Sequence, residues 1–273
     1  MSFETHCHTR YSGTSLPYDG LEEPADIVRQ AKKLGLSGVA VTDHDTTRGW
    51  KEARREAKKQ GIIFIPGMEV STRYGHVVAL GISESIPAGM SVIETVERIH
   101  GSGGVAIAAH PYDIRGRGIR DRFVETDAAE GFNSLNLDRF SNHIAKSRIT
   151  EAGMPMVSGT DAHTLDMVGR ASIGAEAHDV DSLIKAIRKG RIRMQERYIS
   201  LNEIKEWNRL RMISAYMEVV RFIDHKYRRP SAWLLKQLMS RFVFSKSMVW
   251  DVLARMGLAG AIGYGAVRML ASY

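Results

Sequence analysis

His6 and His8 flank the single cysteine of the chain in the opening run FETHCHTRYSGTS. In an extended run, residues two apart share a face, so two imidazoles project together and Cys7 projects the other way. Paired imidazoles at that spacing are a two-toothed grip for a divalent transition metal. The same residue types recur along the chain: Asp43 and His44 follow GVAVT, Glu69 follows IIFIP, His76 opens HVVALG, His110 follows VAIAA, and Asp161 and His163 follow PMVS. Taken alone, AAHPY is an ordinary strand-ending His-Pro turn. Six such histidines with Glu69 and Asp161 form a donor set, and a carboxylate among them can bridge two ions about 3.5–4 Å apart. The other four histidines, His100, His143, His178 and His225, read as surface or capping residues.

Elements that would position these donors are legible as alternating apolar runs and amphipathic segments, the signature of repeated β-α units. Strands are predicted over 2–8, 38–42, 62–66, 76–81, 105–109, 128–133 and 155–158. Helices are predicted over 24–34, 47–60, 91–100, 142–152 and 181–189, with Gly35, Gly61, Gly101 and Gly153 placed as helix ends require. Seven strands in so short a stretch fit a closed or nearly closed barrel better than an open sheet. In a β/α barrel the carboxyl ends of the strands face one mouth, so donors distant in sequence would meet there.

With 273 residues, 44% hydrophobic and 25% charged, the composition is that of a soluble globular protein. One cysteine excludes an internal disulfide, and MSFETHCHTR has no apolar stretch of the signal-peptide kind, so a cytoplasmic location is expected. Charge is uneven: residues 201–273 hold 12 of the 38 Lys/Arg and 5 of the 31 Asp/Glu, an excess equal to the whole +7 of the chain. A basic tail is attracted to anionic partners such as nucleic acid or a membrane surface. The stretch 185–211 is rich in Lys and Arg with helix-forming spacers, and three further helices are expected beyond it, with Ser231 and Ser245 as N-caps. Trp207, Trp233, Phe242, Phe244 and Trp250 recur beside basic residues, as an aromatic-basic docking surface would have them. Gly257, Ala261 and Gly265 sit at small-xxx-small spacing in an apolar segment too short to span a bilayer, which suits close helix packing within the domain or between subunits of a homo-oligomer.

The pieces HCH (6–8), VTDHDTTRG (41–49), GMEVS (67–71), HVVALG (76–81), AHPY (109–112), EGFNS (130–134) and SGTDAHT (158–164) together resemble the PHP (polymerase and histidinol phosphatase) family of metal-dependent phosphoesterases. The resemblance implies an α/β fold, a distorted (β/α)7 barrel over residues 1–199, here followed by a basic all-helical appendage over 200–273. It implies divalent ions, zinc, manganese or iron: one held by His6, His8, Glu69 and Asp161, a second by the bridging Glu69 with His76 and His110, and a third by His44 and His163. Where the family usually adds a His or Asp to the third site, this chain offers Thr14 and neighbouring small residues, so that ion is short of a donor unless Asp19 or Asp43 supplies it. The implied chemistry is in-line attack of a metal-bridging hydroxide on a phosphate ester, with Asp161 acting through the metal and His163 as a candidate proton donor to the leaving oxygen. No G-x-S-x-G elbow or P-loop competes with this reading.

Arginines on the loop IRGRGIRDR, Arg115, Arg117, Arg120 and Arg122, with Arg170 beyond the last motif, are the candidate phosphate binders, because a planar guanidinium grips phosphate bidentately. The expected substrate is a nucleotide (bis)phosphate or a nucleic-acid 5′ end. The alternatives are a histidinol-phosphate-type phosphatase, amidohydrolase or cyclic-phosphodiesterase chemistry, and a metal-containing nucleic-acid-binding protein without catalysis.

Overall fold

The computed structural model describes residues 1–13, 18–245 and 247–270; Thr14 lies outside them. Among the described residues nine strands form one sheet: β1 (Ser2–Glu4), β2 (Gly38–Val41), β3 (Ile63–Ser71), β4 (His76–Leu80), β5 (Val105–Ala108), β6 (Ala128–Asn133), β7 (Met156–Gly159), β8 (Ser172–Gly174) and β9 (Arg193–Gln195). Their order is β7-β6-β5-β4-β3-β2-β1-β8-β9. The ends of this sheet come back together. Cys7, beyond β1, bridges in parallel to Ala162, beyond β7, and the Ser158 hydroxyl of β7 donates to the Ser172 carbonyl of β8 at 2.8 Å. The result is a nearly closed barrel.

Alternation along the strands divides the core in two, as a period of two requires. Ala40, Val78, Leu80, Val105, Ile107 and Val157 pack together with Phe3 and Ile65 in one apolar cluster. Their neighbours Val39, Val41, Val77, Ala79, Ala106 and Ala108 belong to another, with residues of the surrounding helices α1 (Pro24–Lys33), α2 (Trp50–Gln60), α3 (Val92–Gly101) and α4 (Phe140–Glu151). Helix α1 starts with Pro24 in its first turn and buries Ile27, Val28 and Ala31 on one face, while α3 starts from a Ser91/Glu94 capping box. Helix α5 (Val180–Arg188) joins the first cluster through Leu183, Ile184 and Ile187 and closes the end of the barrel remote from the donors. It sits directly on Gly81, where a Cβ would fall 2.1 Å from Ile184 Cδ1 and where φ is +75°.

Strand β3 turns the sheet. Its first half pairs in parallel with β2, Gly38 to Ile63 through Val41 to Pro66, and its second half pairs antiparallel with β4, Gly67 to Leu80 through Ser71 to His76. Strand β5 is antiparallel to β4 in turn. Because β4 runs against β1, β2, β5 and β7, its first residue, His76, lies at the same mouth as the residues that follow those strands. That is why this donor opens its strand instead of following it.

Some expectations need correction. Strand β1 ends at Glu4, not at residue 8, because the chain beyond it leaves the ladder to bridge across at Cys7. Strands β8 and β9 were not expected; β9 falls inside the stretch taken as helix-forming, where Gly190 at φ +62° ends α5 and Arg193–Gln195 pair with β8. The tail contains α6 (Leu201–Ser214), α7 (Tyr216–Lys226), α8 (Ser231–Phe244) and α9 (Met248–Leu270). Ser231 is the first residue of α8 and donates to the Arg228 carbonyl instead of capping. Ser245 ends α8 and accepts from Trp250 Nε1 at 3.1 Å. The N-cap that sequence reading passed over is Ser200, which forms a capping box with Glu203 at the start of α6.

Just past the division at residue 200, α6 still shares the core around the barrel through Ile204 and Trp207, whereas Ile223, Ala232, Met239 and Val243 form a small core of their own in α7 and α8. Of the two glycines at that spacing Gly265 makes a close approach, to the barrel, where a Cβ would lie 2.9 Å from Asp138 Oδ1, whereas a Cβ at Gly257 would meet nothing within 4 Å. Among the described residues no helix is long and apolar enough to cross a membrane.

Candidate metal centre

Glu69, buried in the second half of β3, is the middle of the site. Its Oε1 lies 2.8 Å from His76 Nδ1 and 3.1 Å from His110 Nε2. Its Oε2 lies 3.2 Å from His8 Nε2, 3.2 Å from His44 Nδ1 and 3.4 Å from His6 Nε2. Asp161 faces the same imidazoles, with Oδ1 3.2 Å from His8 Nε2 and 3.7 Å from His6 Nε2. Sequence places these residues up to 155 positions apart; the barrel mouth brings all eight expected donors into one cluster, His163 included.

The choice between Asp19 and Asp43 is made by the fold. Asp43 turns away and accepts from the Thr9 amide and hydroxyl at 2.6 and 2.7 Å, which fixes the loop after the HxH pair. Asp19 turns inward, with Oδ2 2.9 Å from His163 Nε2 and 3.5 Å from His44 Nε2. It therefore faces the Nε2 atoms of both His44 and His163.

Three further residues hold the donors in place. Glu130 on β6 accepts from His6 Nδ1 at 2.8 Å through Oε1, and from the His110 amide and Asn133 Nδ2, both at 2.9 Å, through Oε2. Glu4 ties the HxH segment to the segment before Asp161: it accepts from the Thr5 and His6 amides on one side and from the Thr160 hydroxyl and Gly169 amide on the other. Ser12 Oγ meets His8 Nδ1 at 2.8 Å. No role was read for these from sequence. The available signal was a charged residue inside an otherwise apolar buried strand, since Glu130 and Glu4 are both fully buried there. Gly159 belongs to the same device, because a Cβ at that position would fall 1.9 Å from Glu130 Oε1. His110 and Asp161 adopt left-handed backbone, φ +30° and +58°, which costs roughly 1–3 kcal/mol each and is characteristic of functional sites.

Whether these donors fit divalent ions is answered by their spacing and by their unmet bonds. Ligands about 2.1 Å from a tetrahedral ion stand about 3.4 Å from one another; the Nε2 atoms of His6 and His8 are 3.2 Å apart, and each lies 3.2–3.7 Å from Glu69 Oε2 and from Asp161 Oδ1. His44 Nδ1, His76 Nδ1 and Glu69 Oε2 are buried beside one another without hydrogen-bond geometry among the described residues, as lone pairs turned toward a cation would be. Burial opposes ionisation of Glu69, Asp161 and Asp19, yet the facing imidazoles hold all three well below the usual carboxylate range. Burial likewise opposes charge on His8, but its bonds to Asp161 and Glu69 push it up to about 10. Protein alone must load this cluster with protons; divalent cations supply the same positive charge.

The arginines part company. Arg115 Nε donates to Asp113 at 3.1 Å and its Nη2 lies 3.5 Å from Asp161, so it faces the cluster. Asp113 also accepts from the Arg117 and Gly118 amides, which pins the arginine loop over the mouth, and Arg117 lines the same cavity as Arg115. Arg122 instead pairs with Glu125 and lies over the Tyr74 ring, and Arg120 starts the short 3-10 helix Arg120–Glu125. Arg170 pairs with Glu203 at 2.5 Å and so joins the barrel to α6. Of the tail aromatics, Trp207 packs tilted against the His163 ring at 4.3 Å and Phe242 meets Trp250 edge-on at 5.2 Å, while Trp233 and Phe244 are exposed.

Comparison with known proteins agrees with this architecture. A family model described as the PHP domain matches residues 4–112 and one described as PHP-associated matches 139–192. An uncharacterized protein of Methanocaldococcus jannaschii is 38% identical over 156 residues, 55% of this chain and 91% of that protein. A 3′,5′-nucleoside bisphosphate phosphatase of Chromobacterium violaceum is 36% identical over 91 residues, 32% of this chain and 30% of that enzyme. A 5′-3′ exoribonuclease of Salmonella typhimurium is 36% identical over 92 residues, 32% of this chain and 29% of that enzyme. The chain thus spans under a third of each of these two enzymes. Among solved structures, a two-domain protein containing a predicted PHP-like metal-dependent phosphoesterase from Bacteroides vulgatus superposes with a TM-score of 0.60 at 16% identity, over 76% of this chain and 68% of that one.

Proposed function

Because the chain belongs to the PHP family, we propose that it hydrolyses phosphate monoesters with two divalent ions held by His6, His8, Glu69, Asp161, His76 and His110, and a third held by His44, His163 and Asp19. The observation that carries this reading is the convergence of five imidazole nitrogens on the two oxygens of one buried carboxylate, Glu69, within 3.4 Å. Divalent ions at such a site lower the pKa of water and neutralise charge developing on phosphoryl oxygens. The net reaction forms a bond from a water oxygen to phosphorus, breaks the bond from phosphorus to the leaving oxygen, and passes a proton of that water to the leaving group.

The chain's own residues bind and orient. Arg115 and Arg117 present guanidinium groups beside the cluster, suited to the phosphate oxygens not taken up elsewhere. Glu130, by accepting from His6 Nδ1, keeps His6 Nε2 free of a proton and turned inward. His163 Nδ1 meets the Asp161 carbonyl at 2.8 Å and its Nε2 faces Asp19, so both ring nitrogens are committed. We therefore assign His163 to ion binding and not to proton donation. Trp207 screens His163 on its outer face.

A small monoester fits better than a nucleic-acid end, because α6 and α9 line the half-open cavity at the mouth mainly with apolar side chains. The nucleotide and RNA substrates named for two relatives make the test direct. Phosphate release is measured from an aryl phosphate, a nucleoside bisphosphate and a short 5′-phosphorylated RNA, with and without chelator and in Glu69→Gln. Hydrolysis undiminished by chelator or by the substitution refutes the reading.

A further inference from the structure

Where the barrel mouth meets the C-terminal helices lies a cavity of about 680 Å³, a size typical of small-molecule sites. One end of it is the donor cluster's own edge: Asp19, 2.9 Å from His163, and Arg115, 3.5 Å from Asp161, both line it. The rest is mainly apolar, built from Leu135 of the barrel, Trp207 of α6, and Trp250, Leu253, Leu258 and Ala261 of α9, with Asp138, Lys205 and Arg211 among them. Most polar side chains in this wall have partners: Arg211 donates to the Tyr18 carbonyl at 2.6 Å and faces Asp19 at 3.8 Å, and Asp138 accepts from the Ser141 amide at 2.7 Å through Oδ1, its Oδ2 being buried without a partner among the described residues. Lys205 pairs with Asp251, the Asn208 amide donates to the Ile204 carbonyl at 2.9 Å, and the Asn136 amide donates to Asn142 at 2.9 Å. The wall is strapped to the barrel at both ends, by Trp207 Nε1 on the Asp19 carbonyl at 2.9 Å and by Arg268 on the Tyr112 and Asp113 carbonyls at 3.2 and 3.0 Å.

We propose that the C-terminal helices form the leaving-group subsite of the enzyme, and that the substrate is a small phosphate monoester whose alcohol is apolar, aromatic or branched aliphatic. The inference rests on the phosphoesterase reading above and deepens it. Phosphate lies at the polar end, against the ion cluster with Arg115 and Arg117; the alcohol lies among Trp207, Trp250, Leu253 and Leu258. A nucleoside brings a sugar and a base edge whose hydrogen-bonding groups this wall would leave unpaired, a costly mismatch when buried. A polymer needs a groove with cations that track its backbone, and here Lys205 is already paired with Asp251. Leu253 is half exposed, so an alcohol longer than the cavity has a way out along α9.

The test is a series of n-alkyl phosphates from ethyl to hexyl, with benzyl phosphate and a nucleoside 5′-monophosphate alongside. Each methylene buried in the cavity is worth roughly fourfold in kcat/KM. Leu258→Trp, which fills the chamber, lowers the hexyl-to-ethyl ratio of kcat/KM at least tenfold; Ala261→Leu does so more mildly and guards against a folding defect. A flat series, a ratio unchanged in both variants, or a nucleoside monophosphate preferred to hexyl phosphate overturns the proposal. If no ester is hydrolysed, the catalytic reading has failed and the subsite is judged alone by calorimetry with non-hydrolysable phosphonates. Hexylphosphonate binding tighter than ethylphosphonate, with the difference lost in Leu258→Trp, supports it, and equal affinities overturn it.

Discussion

Glu130→Gln should weaken ion binding without unfolding the protein, and the reason lies in counting donors. All three partners of Glu130 face it as donors: His6 Nδ1 at 2.8 Å from one oxygen, the His110 amide and Asn133 Nδ2 at 2.9 Å from the other. Glutamine keeps the shape but offers one acceptor and one NH₂. With its oxygen toward His6, two donors are left facing an NH₂; with its oxygen toward His110 and Asn133, one is. The second arrangement wins, and it forces His6 to accept at Nδ1 and so to carry its proton on Nε2. That nitrogen is the one 3.2 Å from His8 Nε2 and 3.4 Å from Glu69, and a protonated Nε2 cannot hold an ion. Loss of an outer partner of this kind typically costs 10–100-fold in metal affinity, about 1.4–2.7 kcal/mol. The assay is a calorimetric zinc or manganese titration of the chelator-stripped protein, beside its urea-unfolding midpoint. Unchanged affinity in a folded Glu130→Gln protein would mean that Glu130 does not set the tautomer of His6, and the argument fails.

Other perturbations bear on separate links of the structure. Asp19→Ala should remove one bound ion per chain by elemental analysis, since Asp19 is the carboxylate facing both His44 and His163; an identical metal count in both proteins contradicts the assignment. Gly159→Ala places a Cβ 1.9 Å from Glu130 Oε1 and should cost about 1–3 kcal/mol of stability as overpacking does, together with the affinity loss of Glu130→Gln; a variant as stable and as tight as the parent rules this out. At Glu203 burial opposes ionisation, but the Ser200 capping bonds and Arg170 prevail and hold its carboxyl below the usual value. The stabilisation is therefore complete above about pH 4.5 and fades as pH falls through the lowered value. Arg170→Met should cost under about 1 kcal/mol at pH 7 and progressively less in acid, read from urea melts; a penalty that grows on acidification has the wrong sign.

The donors were legible because they are local features. A polar residue of ligand type stands beside nearly every apolar run, and period-two alternation shows which way His6 and His8 project. A strand's direction is not local. His76 joins the mouth because β4 is antiparallel to β3 and β5, and nothing within HVVALG says so. The same holds for the carboxylates: Asp19 and Asp43 are equivalent in sequence, and only the path of the loops turns one toward His163 and the other onto Thr9. Glu130 and Glu4 were visible as charges in apolar strands, but their partners lie up to 165 positions away.

The tail shows the limit from the other side. Its helices and its charge were read from composition and spacing, because propensity and charge are sums over neighbours in the chain. That Trp207 covers His163, that Arg170 pairs with Glu203, and that α9 lines a cavity at the barrel mouth were decided by packing in three dimensions. An apolar helix face records that something must cover it, since water is excluded at a gain roughly proportional to area. It does not record what, because that attraction has no direction.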